Sequence, residues 1–185
     1  MTSARAQGFA PVWRPDARLL ILGSLPGVAS IAATQYYAHP RNQFWPMMQA
    51  LFQVERSAPY AERLAQLQHA GVALWDLLDS AERPGSLDSA IVTDSMQIND
   101  LSALIAQLPQ LHTLALNGAK ASQLLQRYQK STPLPAHLRI LALPSTSPAH
   151  AALNFTQKLQ QWQQLLGASN PDAGVVDLSY PCALG

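Results

Sequence analysis

The chain has 185 residues and a net charge of +1, and 48% of its residues are apolar while 12% are charged. This length favours one domain with a substantial core, and a charged fraction far below the usual value of about 25% argues against disorder. The single cysteine, Cys182, excludes an internal disulfide framework, a cysteine-rich zinc site and a four-cysteine iron–sulfur cluster. The near-neutral charge argues against a positive coat but leaves room for a local nucleic-acid site.

The first 14 residues are polar and lack the apolar stretch of a secretion signal. The first apolar run, residues 19–33, contains Gly23, Ser24, Pro26 and Gly27, which make it too broken to cross a membrane. We therefore expect a cytoplasmic protein without a membrane partner.

The first half of the chain predicts two strands and three helices. Residues 18–23 and 72–75 are short apolar runs typical of strands buried on both faces. Between them we expect a short helix from residue 28 with Ser30 as its cap, a helix over 44–52 and a helix over 59–69. Residues 76–88 contain Arg-Pro-Gly-Ser, which predicts a loop.

The second half continues the alternation of helices and strands. It predicts a helix over residues 101–108, a strand over 111–116, a helix after Asn117-Gly118 and a strand over 138–143. Residues 144–150 predict a loop in which Ser147 and Pro148 fit the start of a helix. The last helix has one apolar face, made of Phe155, Leu159, Trp162 and Leu166.

This alternation implies parallel strands joined by right-handed crossovers, so we predict an α/β fold. Its expected form is a three-layer α/β/α sandwich around a central, mainly parallel four-stranded sheet. We expect residues 1–168 to form a single domain and residues 169–185 a loosely attached C-terminal tail. Sites in such folds lie beyond the carboxyl ends of the strands, so segments 23–42, 76–88 and 143–150 should converge on one cleft.

The segment after the first strand combines a glycine turn with a run of polar and aromatic residues. Gly23-Ser-Leu-Pro-Gly27 lets backbone N–H groups approach a phosphate or a water, although it also makes an ordinary strand-to-helix turn. In Gln35-Tyr-Tyr-Ala-His-Pro-Arg-Asn-Gln-Phe-Trp45, aromatic rings fit stacking on bases and the amide fits a base edge or a water. Phe44 and Trp45 also fit the core.

The other two segments allow a structural and a functional interpretation. In the loop over residues 144–150, small hydroxyl residues between two prolines are common phosphate contacts, and the same groups cap helices. After the second strand, Asp76, Arg83 and Asp88 are candidate catalytic groups or, alternatively, an ion-pair network that holds the loop.

Taken in order, these segments resemble the uracil-DNA glycosylase superfamily, and within it the hypoxanthine-DNA glycosylase (DNA-deoxyinosine glycosylase) family. The resemblance rests on Gly-Ser-Leu-Pro-Gly, the Tyr-Tyr-Ala-His-Pro-Arg-Asn run, Leu-Trp-Asp with Glu-Arg-Pro-Gly-Ser-Leu-Asp, Leu-Asn-Gly-Ala-Lys and Leu-Pro-Ser-Thr-Ser-Pro-Ala. It covers residues 18 to about 166. We therefore expect a monomer that acts on double-stranded DNA, with no metal and no cofactor.

The resemblance also implies roles for individual residues. Asn42 lies where the hypoxanthine branch has its catalytic group, and Tyr37 lies where the family stacks an aromatic ring on the flipped base. Gly23, Ser24 and Leu25 are candidates for base binding and belong to the first motif, whose backbone lines the sugar and the attacking water. The candidates for contact with the DNA backbone, or for the loop that enters the DNA, are Pro26, Gly27, His39, Arg41, Pro144, Ser145, Thr146 and Ser147. The supporting residues are Asp76, Arg83 and Asp88.

Two polar groups of other branches are absent, because Leu25 replaces an Asp or Asn and Leu143 replaces a His. The implied reaction is base flipping followed by hydrolysis of the N-glycosidic bond of a deaminated base, above all hypoxanthine in deoxyinosine. This is the first step of base excision repair of DNA damage. Within this reading, mismatch-specific excision of uracil or thymine stays open.

The residues alone also allow two other functions. An acyl hydrolase would pair Ser24 or Ser145 with His39 or His150 and Asp76, but the chain lacks a Gly-x-Ser-x-Gly elbow. A non-catalytic module would bind DNA or a nucleotide in the same cleft.

Overall fold

The structure, a computed structural model, describes residues 5–168. The predicted tail, residues 169–185, and Cys182 lie outside the described residues. The strands are β1 (Arg5–Gln7), β2 (Leu19–Gly23), β3 (Val72–Asp76), β4 (Leu78–Glu82), β5 (Gln97–Ile98), β6 (Thr113–Asn117) and β7 (Arg139–Leu143). The helices are α1 (Val28–Ala33), α2 (Phe44–Phe52), α3 (Tyr60–His69), α4 (Leu101–Ile105), α5 (Ala119–Gln129), α6 (Phe155–Trp162) and α7 (Gln164–Ala168).

Four strands form a parallel sheet in the order β3-β2-β6-β7. The register pairs Leu22 of β2 with Trp75 of β3 and with Leu116 of β6, so the carboxyl ends of these strands lie at one edge. Every residue of β2, β3 and β6 is buried, as expected for strands covered on both faces. The predicted α/β/α sandwich with a central parallel sheet is confirmed.

Successive residues of β2 point to opposite faces of the sheet and pack into two separate cores. Leu20 and Leu22 lie in one core with residues of α4 and α5, whereas Leu19 and Ile21 lie in the other with residues of α2, α3 and α6. Burial of one such side chain contributes about 1.5–3 kcal/mol to stability. The two cores therefore fix the strand ends that carry the functional residues.

The predicted loop over residues 76–88 is partly wrong, because the chain forms β4 there. β4 pairs antiparallel with β1 on one side and with β5 on the other, in a second, three-stranded sheet. The β4 sequence, Leu-Asp-Ser-Ala-Glu, lacks the β-branched and aromatic residues that mark a strand. Pairing with β1, which is distant in sequence, determines the strand instead.

Two predicted helix starts are also wrong. Gly27 is the N-cap residue of α1, and Ser30 lies inside that helix, where its Oγ accepts a hydrogen bond from the Ala38 N–H at 3.1 Å. No helix begins at Ser147 or Pro148. The next helix, α6, begins at Phe155, and a capping box precedes it. This capping box joins Asn154 and Gln157, whose side chains accept hydrogen bonds from each other's backbone N–H groups.

The last predicted helix is divided into α6 and α7 around Gln163. This break changes the buried face: Leu165 is buried, whereas Leu166, predicted for the apolar face, is 44% exposed. Between residues 5 and 168, no helix has both the length and the hydrophobicity that crossing a membrane requires.

Candidate active site

The carboxyl ends of all four parallel strands open into one cleft with a volume of about 720 Å³. The three predicted segments converge there, as the topology requires. Residues 117–120, at the end of β6 and the start of α5, add a part of the lining that was not predicted as a site. The candidates for catalysis and base binding all line this cleft; they are Gly23, Ser24, Leu25, Tyr37 and Asn42.

The ends of β2 and β3 place Gly23 beside Asp76. A Cβ atom at position 23 would overlap the Asp76 Oδ1 atom, so glycine is needed for this close approach. Asp76 is 4% exposed, and its Oδ2 atom is buried without a hydrogen-bond partner among the described residues. Burial, reinforced by the negative charge of Asp88 and opposed by Arg83, raises the pKa of Asp76 to about 7.

Side chains of residues 83–88 hold the first motif. The Ser24 hydroxyl donates to Asp88 Oδ1 at 2.7 Å, and the buried Arg83 guanidinium donates to the carbonyl oxygens of Leu25 and Pro26. Arg83 forms no salt bridge with a carboxylate in residues 5–168, so the predicted ion-pair network is wrong. We call residues 23–27 together with 83–88 the charged wall of the cleft.

Leu25 and Leu143, which the resemblance aligns with polar groups of other branches, both pack into the core. Leu25 is 6% exposed and belongs to the core beneath α4 and α5, whereas Leu143 is 4% exposed and belongs to the core beneath α2, α3 and α6. Neither side chain therefore brings a polar group to the cleft.

Tyr37 has a strained backbone and a ring fixed against α2. Its φ of 55° lies in the left-handed region, which costs a non-glycine residue about 1–2 kcal/mol. The ring stacks on Phe44 with centroids 3.9 Å apart. The hydroxyl lies near the Asn117 amide but is buried without a hydrogen-bond partner in the described chain. Burial and the negative charge of Asp76 raise the pKa of Tyr37, so the hydroxyl is neutral.

Asn42 lies just before α2, and contacts with that helix orient its amide. Its Oδ1 accepts a hydrogen bond from the Phe44 N–H at 3.0 Å, and its backbone N–H donates to the His39 carbonyl at 2.8 Å. Its Nδ2 group donates to no residue within 5–168, so the amide offers a donor to the cleft. His39 and Arg41 also line the cleft, and the His39 Nδ1 accepts from the Arg41 N–H at 3.1 Å.

Uncharged groups from three elements hold the loop after β7. The Asn117 side chain accepts from the Thr146 N–H at 2.9 Å and donates to the Thr146 Oγ1 at 3.0 Å. The Gln43 N–H donates to the Thr146 carbonyl and the Trp162 Nε1 to the Pro144 carbonyl, each at 2.9 Å. All polar groups of Thr146 are thus engaged within the protein. We call residues 117–118 together with 144–147 the neutral wall.

Asn117 is not among the predicted site residues. Its segment, Leu-Asn-Gly-Ala-Lys, contributes to the family resemblance, but the residues themselves predict only a turn into a helix at Asn117-Gly118. Gly118 has a φ of 101°, and a Cβ there would lie 2.9 Å from the Ser145 Cβ, so glycine lets the two segments of the neutral wall meet. A polar residue at the carboxyl end of a buried parallel strand was the available signal. Ser145 and Ser147, both predicted, line the cleft.

Comparison with known proteins establishes the family. Residues 10–166 match the sequence profile of the uracil DNA glycosylase superfamily. The chain belongs to this superfamily. It is therefore a DNA glycosylase, as its sequence predicted.

Two curated relatives of this glycosylase are named hypoxanthine DNA glycosylase. The protein from Methanosarcina barkeri is 37% identical over 120 residues, which are 64% of this chain and 75% of the relative. The protein from Methanosarcina acetivorans is 37% identical over 118 residues, which are 63% of this chain and 73% of the relative. A solution NMR structure of a candidate uracil DNA glycosylase from Methanosarcina acetivorans has a TM-score of 0.75, with 28% identity over 90% of this chain and 100% of that one.

The geometry of the glycosylase cleft does not provide a serine hydrolase site. The Ser24 hydroxyl donates to Asp88, and the Ser145 hydroxyl accepts from the Ser147 N–H at 3.1 Å. In the described part of the chain, neither hydroxyl forms a hydrogen bond with a histidine, which nucleophilic catalysis by serine requires.

Proposed function

We propose that this DNA glycosylase extrudes a deaminated base from duplex DNA and hydrolyses its N-glycosidic bond, with hypoxanthine in deoxyinosine as the preferred base. The observation that carries the proposal is the Asp76 carboxyl with a free oxygen in the same cleft as the Asn42 amide with a free donor. The two relatives named hypoxanthine DNA glycosylase support the choice of base. The product is an abasic site, which base excision repair then processes.

The base must leave the stack before it can react, and a deaminated base that pairs weakly costs the least to unpair. Tyr37 would hold the extruded base. One face of its ring packs on Phe44, and the residue lines the cleft, so the other face supplies a stacking surface. Such stacking contributes about 1–3 kcal/mol. The strained backbone of Tyr37 is consistent with a residue held in place for binding.

Asp76 would act in its neutral form. Deamination replaces an amino donor of the base by a carbonyl acceptor, to which the O–H of a protonated Asp76 donates. The departing base carries negative charge in the transition state, and an ionised carboxylate beside it would oppose that charge. A pKa of about 7 keeps a large fraction of Asp76 neutral at physiological pH. Burial raises the pKa of Asp76, and the neutral carboxyl can therefore donate a hydrogen bond to the carbonyl group of the base.

Asn42 would stabilise the departing base. Its Oδ1 is fixed by the Phe44 N–H, which leaves the Nδ2 group to donate to the base as the bond from C1′ to N9 breaks. Water then adds to C1′, and the base takes up the proton that the water loses. Hydrogen bonds that strengthen as charge develops lower the barrier, so a strong general base is not required.

The two walls would hold the DNA backbone. The backbone N–H groups of Ser24, Leu25 and Gly27, the hydroxyls of Ser145 and Ser147 and the Arg41 guanidinium are suited to phosphates. We assign Thr146 to holding the loop, because its polar groups are already engaged. The monomeric state and the cytoplasmic location stay predictions.

Mismatch-specific excision of uracil or thymine is the second candidate. Both bases carry a carbonyl acceptor at O4, which the O–H of a neutral Asp76 fits as it fits O6 of hypoxanthine. The same group therefore supports a wider range of deaminated bases.

The experiment is a panel of otherwise identical duplexes that carry deoxyinosine, uracil, xanthine or ethenoadenine. Incubation is followed by alkali, which cleaves the strand at an abasic site. We expect the fastest cleavage with deoxyinosine. Faster cleavage with uracil would select the second candidate, and no cleavage of any duplex would overturn the proposal.

A further inference from the structure

Extrusion of a nucleotide opens a gap in the base stack, and proteins that distort DNA commonly insert an apolar side chain between base steps. We propose that Leu87, just before the 3₁₀ turn Asp88–Ala90, is the side chain that fills this gap. The inference rests on the proposed base-extruding function. Beyond that function, the inference names the residue that enters the duplex and places it in the charged wall.

Leu87 is a large apolar side chain left open to solvent at the cleft. It is 56% exposed and lines the cleft together with Ser86 and Asp88. Among the large apolar side chains exposed in residues 5–168, it alone belongs to the cleft lining; the others are Val28, Val92, Ile140 and Leu166. An exposed leucine at a binding cleft gains from removal of its surface from water, and stacked bases provide that apolar contact.

Hydrogen bonds tie the residues on both sides of Leu87 to the start of α1 and to the first motif. The Ser86 Oγ accepts a hydrogen bond from the Val28 N–H at 3.0 Å, and Asp88 accepts one from the Ser24 hydroxyl at 2.7 Å. A side chain that is inserted between two stacked bases needs a rigid backbone to support it. The exposed side chain and the anchored backbone together meet that requirement.

The opposite side of the cleft offers less apolar surface. Leu143 is 4% exposed and packs in the core, and residues 144–147 are a proline and three hydroxyl residues. Pro148 lines the cleft and is partly exposed, so it is the rival for the same task. The larger and more exposed side chain of Leu87 favours the charged wall.

The test compares two duplexes with the same sequence around deoxyinosine, one fully paired and one with the lesion in a bubble of unpaired bases. Under single-turnover conditions, Leu87→Ala should slow release of hypoxanthine from the paired duplex at least about tenfold and leave the bubble unaffected. Leu87→Met, which keeps an apolar side chain of similar size, should restore the rate. Leu166→Ala makes the same replacement at an exposed leucine outside the cleft lining and should behave as wild type.

A second readout does not depend on cleavage. Binding of the Asn42→Ala enzyme to a paired duplex with 2-aminopurine beside the lesion should raise the 2-aminopurine fluorescence, because the stack opens. Adding Leu87→Ala should abolish this rise at saturating protein. Pro148→Ala in the same background should not.

The outcomes separate this inference from the proposed function. Wild-type enzyme that releases no hypoxanthine from either duplex would contradict the proposed function. Wild-type activity combined with Leu87→Ala rates equal to wild type, or with an unchanged fluorescence rise, would overturn the inference alone. Loss caused by Pro148→Ala instead would move the wedge to the opposite side of the cleft.

Discussion

The charged wall and the neutral wall border the same cleft but are held by different chemistry. In the charged wall, the buried Arg83 guanidinium donates hydrogen bonds to the carbonyl groups of Leu25 and Pro26. The Asp88 carboxylate accepts a hydrogen bond from the Ser24 hydroxyl. In the neutral wall, one amide side chain holds both the N–H and the hydroxyl of Thr146. The charged wall lies beside Asp76, whose pKa is raised to about 7, whereas Asn117 and Thr146 do not titrate.

The two walls therefore differ in how strongly pH affects them. Asp76, which lies beside the charged wall, has a pKa raised to about 7, so the contact that we propose between Asp76 and the base depends on pH. The neutral wall keeps its geometry at any pH at which the protein is folded, so it suits contacts to the DNA backbone. The variants below change one group of the cleft at a time.

The largest effect is expected at Asn42, which lies between α2 and the cleft. Asn42→Ala should slow hypoxanthine release from a deoxyinosine duplex at least about 10²-fold, or more than about 2.7 kcal/mol in the barrier. The reason is the loss of the Nδ2 donor to the departing base. Single-turnover assays at saturating enzyme measure this rate.

Asn42→Asp is the matched control, because its carboxylate still accepts from the Phe44 N–H and preserves the start of α2. It lacks the donor, so it should lose at least as much activity as Asn42→Ala with little change in stability. A variant that keeps the wild-type rate would show that the donor is not needed.

The next effect is expected in the neutral wall. Asn117→Ala removes both hydrogen bonds to Thr146 and leaves its buried N–H without a partner, which should cost about 1–3 kcal/mol of unfolding free energy. Urea denaturation should give the same loss at pH 6 and pH 8, because neither partner titrates.

Thr146→Val is the control for Asn117→Ala, because it removes the Oγ1 contact and keeps the N–H contact. It should cost less, and the double variant should cost less than the sum of the two, since both remove the same interaction. Strict additivity would mean that the Asn117 contacts do not hold the loop.

The smallest effect is expected from Tyr37→Phe. The hydroxyl is buried without a partner among the described residues, so its removal should leave the rate within about twofold and stability unchanged or slightly higher. Tyr37→Ala removes the stacking ring and should raise KM about tenfold. Equal damage from both variants would assign the role to the hydroxyl instead of the ring.

Much of the fold and the cleft was predictable from local patterns. Four apolar runs of four to six residues marked the central sheet, and parallel strands bring their carboxyl ends to one edge. Tyr37 and Asn42 line the cleft at that edge, as expected for residues in the connection that follows the first strand of the sheet. These features depend on hydrophobic periodicity and topology, which the sequence displays directly.

Contacts between distant residues were not predictable. β4 exists because it pairs with β1, more than 70 residues away, and its own sequence does not favour a strand. The contact of Asn117 with Thr146 spans 29 positions, and only the folded chain shows that it fixes a loop. Likewise, only the folded chain shows that Arg83 donates to two backbone carbonyl groups and forms no ion pair within the described residues.

The most direct test of the role of Asp76 is the pH profile of hypoxanthine release by wild-type enzyme and by Asp76→Asn. In the proposed mechanism the neutral carboxyl is the active form, so wild-type activity should be level below pH 7 and fall about tenfold per pH unit well above it. The Asn amide keeps a donor and does not titrate, so the variant should show a level profile from pH 6 to about pH 9. A wild-type rate that is constant, or that rises with pH over this range, would contradict the proposed role of a neutral Asp76.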